Sequence, residues 1–191
     1  MGEIIIFING KAHEQYINKS GRFKVINSKF ISSGGSTFKT TEHLLCPLFK
    51  DDVVMVMSDV PNGKALAKCY FIESNNTYTL NQRIGCFRVK NEKELHSRFL
   101  FIQLNRNKQL LEYDQGRGQT NLRKNDILSV RILIPSLTEQ KKIVARLDAL
   151  SAKITALREA QAQSAAGLRA RPSGGSVDIA DLVSPVAFHP A

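Results

Sequence analysis

The chain has 191 residues, 42% of them hydrophobic, and carries a formal net charge of +10 from 27 Lys and Arg against 17 Asp and Glu. That is enough apolar material for one domain of ordinary size plus an appendage, and it excludes a disordered polyelectrolyte. The charge is uneven: residues 1–135 hold 20 basic and 12 acidic side chains, residues 136–171 hold 7 and 3, and residues 172–191 hold two Asp and no base. Basicity concentrated in the body suits a polyanionic partner, nucleic acid first.

Ile4 to Ile8 reads as a first strand stopping at the turn pair Asn9-Gly10. Glu3 precedes it and no basic n-region frames it, so neither a secretory leader nor a bilayer span is expected. Residues 11–22 are polar and read as a loop, and Phe23 to Ile31 as a second strand. The segment Ser32-Ser33-Gly34-Gly35-Ser36-Thr37-Phe38-Lys39-Thr40-Thr41 follows. Paired glycines let backbone approach a phosphate, hydroxyls such as Ser32, Ser33 and Ser36 can donate to its oxygens, and Lys39 adds a charge. A plain surface connection is the alternative.

Asp52 to Met57 is an unbroken apolar run, the pattern of a strand covered on both faces. Pro61-Asn62-Gly63 then supplies a tight turn that projects Lys64. It is no P-loop, because the upstream Gly and the hydroxyl residue after Lys are missing. Leu66 to Ile72 and Arg83 to Val89 read as strands joined by a polar connection over 73–82. Asn91 with Glu94 three residues on reads as a helix cap, and Leu95, Phe99, Ile102 and Leu110 mark one helix ending near Tyr113. Residues 114–126 form a second Gly-rich basic loop. There Arg117, Gln119, Asn121 and Arg123 have the forked polar groups that pair with base edges and phosphates; a solvated turn is the alternative. Leu128, Val130, Ile132 and Ile134 alternate as a last strand.

Pro135 to Arg171 forms the long element. Ser136 and Glu139 have capping-box spacing, Pro135 closes what precedes, and Pro172 ends the helix. Ile143, Leu147, Leu150, Ile154 and Leu157 recur at steps of four and three, and Leu168 returns to that register: a heptad seam. About 35 residues at 1.5 Å each give a rod of roughly 50 Å with no second segment of like period to cover it. An ordinary core helix is the alternative to a contact between subunits.

Catalytic signatures are missing: no Gly-x-Gly-x-x-Gly after a strand, no Asp/Asn-Pro-Pro-aromatic tetrapeptide and no Gly-x-Ser-x-Gly. Glu139-Gln140-Lys141 lies in a helix's first turn and reads as capping and dipole chemistry. His13, His43, His96 and His189 are scattered and read as surface or satisfied histidines. Cys46, Cys69 and Cys86 lie far apart without a Cys-x-x-Cys and read as buried thiols of a reducing compartment, so cytoplasmic residence is expected, with no metal and no cofactor.

Pro135-Ser-Leu-Thr-Glu-Gln-Lys-Lys-Ile-Val-Ala-Arg-Leu-Asp148-Ala-Leu150 resembles the conserved-region helix of type I restriction-modification specificity subunits. In order upstream, Asn27 to Gly35, Asp52-Val-Val-Met-Val, Pro61-Asn-Gly-Lys64, Asn81-Gln-Arg-Ile84 and Gln119-Thr-Asn-Leu122 resemble parts of that family's target recognition domain. The resemblance spans about residues 2–170. It implies a non-catalytic subunit that reads double-stranded DNA and holds methyltransferase subunits, with a motor/nuclease subunit completing the complex. Family members resemble two recognition domains joined by two antiparallel helices, whereas this chain has one of each and looks like a half subunit; the tail after Arg171 matches nothing.

The expected fold is therefore α+β: a small mixed-sheet recognition domain over 1–135, a dimerisation and spacer helix over 136–171, and a disordered tail over 172–191. The expected DNA contacts are Ser32, Ser33, Ser36, Lys39, Asn62, Lys64, Arg117, Gln119, Asn121 and Arg123. The expected assembly is an antiparallel homodimer through Ile143, Leu147, Leu150, Ile154, Leu157 and Leu168. A helical adaptor that only bridges proteins is the alternative function, and the two basic loops argue against it.

Overall fold

The computed structural model describes residues 1–60, 64–114 and 118–169, with side chains through Ser164. Within it the chain divides into a unit Met1–Leu147 and a second unit beginning at Asp148.

The first unit is built on a four-stranded antiparallel sheet of β1 (Ile5–Asn9), β8 (Ile84–Val89), β4 (Val53–Val56) and β6 (Cys69–Phe71), in that order. β4 explains the unbroken apolar run. Val53 and Met55 point into one core cluster with Phe87, Phe99, Leu100 and Leu104, while Val54 and Val56 point into another with Ile26, Phe30, Leu80 and Ile84. Successive strand residues face opposite sides, so a strand covered on both faces has no polar position left. The first cluster is closed by α2 (Ser97–Leu104) and α3 (Lys108–Leu111). The second is closed by α1 (Ser28–Ser32) and by a three-stranded sheet of β3 (Lys39–Thr41), β2 (Phe23–Ile26) and β7 (Tyr78–Leu80).

Five readings of the sequence are corrected here. Phe23 to Ile31 is not one strand: Asn27 takes the Phe30 N–H on its side chain at 2.9 Å and starts α1, as a short amide at a helix N-cap does. The connection over 73–82 contains β7, which pairs parallel to β2. The helix expected from Leu95 to near Tyr113 is two helices, capped by His96 and Asn107; between them Arg106 adopts φ 56°, which no α-helix tolerates. Asn9-Gly10 is not a turn. A side chain on Gly10 would lie 2.0 Å from the Asn81 carbonyl, so glycine is needed where the chain passes from one sheet to the next. Leu128 begins no strand: it ends α4 (Lys124–Leu128), and the alternating residues after it pair with no other strand among the described residues.

Interior polar groups are matched. Arg88 grips the buried Asp52 through two bonds of 2.7 Å, and the same carboxylate accepts the Phe49 N–H. That hydrogen-bonded carboxylate raises the guanidinium pKa. His13 Nδ1 donates to the Lys11 carbonyl at 2.7 Å and Nε2 meets Thr79 Oγ1 at 2.9 Å, in a site whose burial lowers the imidazole pKa. Cys46, Cys69 and Cys86 are free and buried as expected, and burial pushes all three thiols up.

The long helix α5 runs Leu137–Arg169. Ser136 Oγ accepts the Glu139 N–H at 3.3 Å, and the Glu139 carboxylate reaches Lys142 at 3.9 Å. Gln140, fully buried, fastens the helix start to the domain. Its oxygen accepts the His96 N–H at 2.9 Å, and its nitrogen donates to the Glu94 and Pro135 carbonyls. Val144 and Ile143 pack on the first core cluster. Leu147, Leu150, Ile154 and Leu157 are 38–64% exposed. The Leu168 side chain, Pro172 and the tail lie outside the described residues.

Candidate nucleic-acid interface

Two of the three loops singled out in the sequence are joined by backbone. Residues Ser58 and Asp59 (β5) pair antiparallel with Thr120 and Asn121 (β9), Ser58 opposite Asn121 and Asp59 opposite Thr120. Gln119 Nε2 donates to Ser58 Oγ. Asp59 organises the other side: it accepts from the backbone N–H groups of Val60 at 2.9 Å, Ala65 at 2.7 Å and Leu66 at 3.0 Å. One carboxylate thus holds backbone on both sides of Lys64. The Lys64 carbonyl accepts from Arg106 Nη1 at 3.2 Å, which brings a further exposed cation beside it.

The first loop joins the same edge through Lys68, whose ammonium donates to the Ser32 carbonyl at 3.0 Å. Inside that loop the hydroxyls are occupied. Ser33 Oγ donates to Phe30 O and accepts the Thr37 N–H, and Ser36 Oγ donates to Ser33 O. Gly34 and Gly35 take φ 63° and 87°, where side chains are strained. Ser33 and Ser36 shape the loop, and Ser32 and Ser36 are exposed.

Lys39 sits on β3 opposite Val25 and lines a groove of about 260 Å³ with Lys29, Arg83, Asn27, Ser28 and Glu14. Backbone N–H groups at the start of the 3₁₀ turn Glu14–Tyr16 and the Asn81 amide hold Glu14 ionised, so three cations meet one carboxylate there. Met57 connects this groove to the other loops: its N–H donates to the Arg83 carbonyl at 3.1 Å and its carbonyl accepts the Leu122 N–H at 2.8 Å.

Lys39, Lys64, Gln119, Asn121 and Arg123 are all exposed on this connected set. Arg123 starts α4, its N–H held by the Asp126 carboxylate at 2.8 Å. Asn62 and Arg117 lie outside the described residues. Sequence reasoning missed Lys29, Arg83, Lys68 and Arg106 as members. Arg83 belonged to a quoted motif and Lys29 follows a cap signal, but the positions of Lys68 and Arg106 depend on tertiary pairing. Chemically, point charges on Lys and forked donors on Arg suit phosphate oxygens, and the amides of Gln119 and Asn121 suit adenine edges. Among the described residues no cluster of His, Cys, Asp or Glu could hold a metal ion, and no helix is long and apolar enough to cross a membrane.

Comparison with curated proteins finds no match. Twelve chains of solved structures match, three of them as follows. The crystal structure of a type I restriction-modification system S subunit from M. genitalium aligns with TM-score 0.61 at 15% identity over 82% of this chain and 39% of that one. The HsdS subunit from Thermoanaerobacter tengcongensis gives 0.59 at 20% identity, over 84% and 38%. A chain from work on complex assembly and conformational transition of the type I R-M system gives 0.68 at 20% identity, over 88% and 41%. This chain spans about two-fifths of the length of each. The model of the type I restriction modification DNA specificity domain matches residues 1–164, most of the sequence, and the chain therefore belongs to that family.

Proposed function

We propose that this chain is a DNA-recognition subunit of half size, which reads one half-site of duplex DNA and supplies no catalysis of its own. The observation that carries this reading is the family match over residues 1–164 combined with the joining of the basic loops on one connected edge. Lys29, Lys39, Lys64, Arg83 and Arg106 neutralise phosphates and set the register, while Gln119, Asn121 and Arg123 read base edges. Ser32, Asn62 and Arg117 add backbone contacts.

The exposed seam of α5 pairs with the same seam of a second copy. Antiparallel pairing sets Leu147 against the partner's Leu157 and Leu150 against the partner's Ile154, and it places one reader at each end of the rod. Two identical readers related by a two-fold axis read an interrupted palindrome. Methyltransferase subunits dock on this dimer and a motor/nuclease subunit completes the complex, all in the cytoplasm. The domain boundaries follow: recognition domain 1–135, spacer helix 136–171, tail 172–191.

Mobility shift of duplex DNA across a salt series tests the reading. Several phosphate contacts require log affinity to fall with log salt at a slope of about −0.9 per phosphate neutralised. Absence of binding at low salt, with the methyltransferase present, would overturn it in favour of a protein-bridging adaptor.

A further inference from the structure

One face of the recognition unit suits neither DNA nor solvent. Leu133 is 86% exposed, and Ile134 and Tyr113 are 43% and 45% exposed. Beside them α3, α4 and the residues that follow α4 enclose a cavity of about 350 Å³ lined by Gln109, Glu112, Tyr113, Asp126, Ser129 and Val130. Among the described residues, two carboxylates and no Lys or Arg line this notch, in a chain of net positive charge. Phosphate is repelled there, and a basic side chain is attracted.

The backbone beside the notch is equally specific. Val130, Ile132 and Ile134 alternate with Arg131 and Leu133 as a strand does, yet Ile132, Leu133 and Ile134 make no backbone hydrogen bond to any described residue. Among the described residues the segment is held at Val130, whose N–H donates to the Ile127 carbonyl, and at Arg131, by a side chain that mimics a strand. Gln109 accepts the Arg131 N–H at 3.1 Å and donates to its carbonyl at 3.0 Å, the two-bond pattern of an antiparallel pair. Ile132–Ile134 thus carry main-chain donors and acceptors with no partner among the described residues, and Leu133 and Ile134 carry exposed apolar side chains while Ile132 packs on the core, which is how an edge accepts an added strand.

We infer that Arg131–Ile134, with Tyr113 and the Glu112/Asp126 notch, is a protein-docking surface for an extended segment of the methyltransferase subunit. That segment adds as a β-strand along Ile132–Ile134 and places a Lys or Arg in the notch. Residues 172–191 contain no Lys or Arg to place in the notch, which points to a segment of another chain. The inference rests on the proposed assembly with a methyltransferase.

The test uses the full chain and its co-expressed methyltransferase subunit. Leu133→Asp and Glu112→Lys change exposed side chains and leave the fold in place; each weakens association with the methyltransferase by about tenfold or more in sedimentation, while the free chain's affinity for DNA stays within about twofold. Amide exchange at Ile132–Ile134 is fast in the free chain and slowed in the complex. A complex that forms with the unaltered chain but is indifferent to both variants, or that leaves those amides unprotected, overturns the docking surface and leaves the DNA-recognition reading standing. Protection that arises on concentrating the chain alone assigns the edge to a second copy and also overturns it. If no complex forms with the unaltered chain, the proposed assembly fails along with this inference.

Discussion

Gln140 and Leu150 stand ten residues apart on one helix and lie in opposite surroundings. Gln140 is wholly buried and makes three hydrogen bonds to the domain, and Val144 and Ile143 extend that attachment into the core. Leu150 is 54% exposed, as are Ile154 at 48% and Leu157 at 64%. The heptad period is continuous across both stretches, so it does not distinguish the anchor from the proposed interface. What distinguishes them is polar chemistry. A buried Gln with both ends satisfied fixes a helix to its own domain, whereas a run of Leu and Ile among alanines has nothing of its own to match. Ile143 belongs to both, at the register of the seam and at the edge of the core.

The largest effect expected breaks the exposed stretch alone. Replacing Leu150 and Ile154 by Glu removes two apolar side chains, each contributing about 1.5–3 kcal/mol when buried, and brings like charges together, so dimer becomes monomer in sedimentation. Thermal melting of the domain should be unchanged, since neither residue is buried in it. The converse variant sharpens the contrast. Gln140→Ala leaves the His96 N–H and the Glu94 and Pro135 carbonyls without that partner, and it should lower domain stability by about 1–3 kcal/mol in denaturant unfolding while dimerisation is retained.

Inside the recognition unit the contrast is between proposed base readers and proposed phosphate contacts. Gln119→Ala or Asn121→Ala should change preference at individual base pairs by about 1–3 kcal/mol, and Lys39→Ala should weaken binding equally on every sequence and reduce the salt slope by about one; competition shifts on a panel of duplexes separate the two outcomes. Uniform loss from all three would remove Gln119 and Asn121 from the base-reading set.

The smallest effect concerns His13. Its folded pKa is lowered from 6.5 by burial, so above about pH 6.5 the neutral ring is matched to its site in full. As pH falls below 6.5 the unfolded chain takes up the proton first, and stability declines until the folded pKa is passed. Urea midpoints measured between pH 7.5 and 5 should show that decline in the parent and a flatter profile in His13→Gln.

Much of the fold was legible because its signals are local. The unbroken run at Val53–Val56 announces a strand buried on both faces, and Ser136 with Glu139 marks the start of α5. Readings failed where the deciding fact lay elsewhere in the chain. β7 is only three residues long and exists because β2 lies beside it, and Gly10 is dictated by a carbonyl 71 positions away at Asn81. The strand expected at 128–134 failed for the opposite reason: alternation supplies a face, but a strand also needs a neighbour. The Asn27 cap and the Asn105-Arg106-Asn107 break were local and readable, since Asn favours caps and tolerates turns. The site was legible as separate loops; their joining through Asp59, Met57 and Lys68 was not.

The central claim is that one recognition domain per chain, doubled by an antiparallel helix pair, reads DNA. Its most direct test is to map methylated bases in DNA from cells carrying this chain as the only specificity subunit together with its methyltransferase. The account predicts an interrupted palindrome with identical half-sites, and loss of that methylation with Leu150→Glu/Ile154→Glu. An asymmetric methylated site, or methylation that survives the double substitution unchanged, would contradict it.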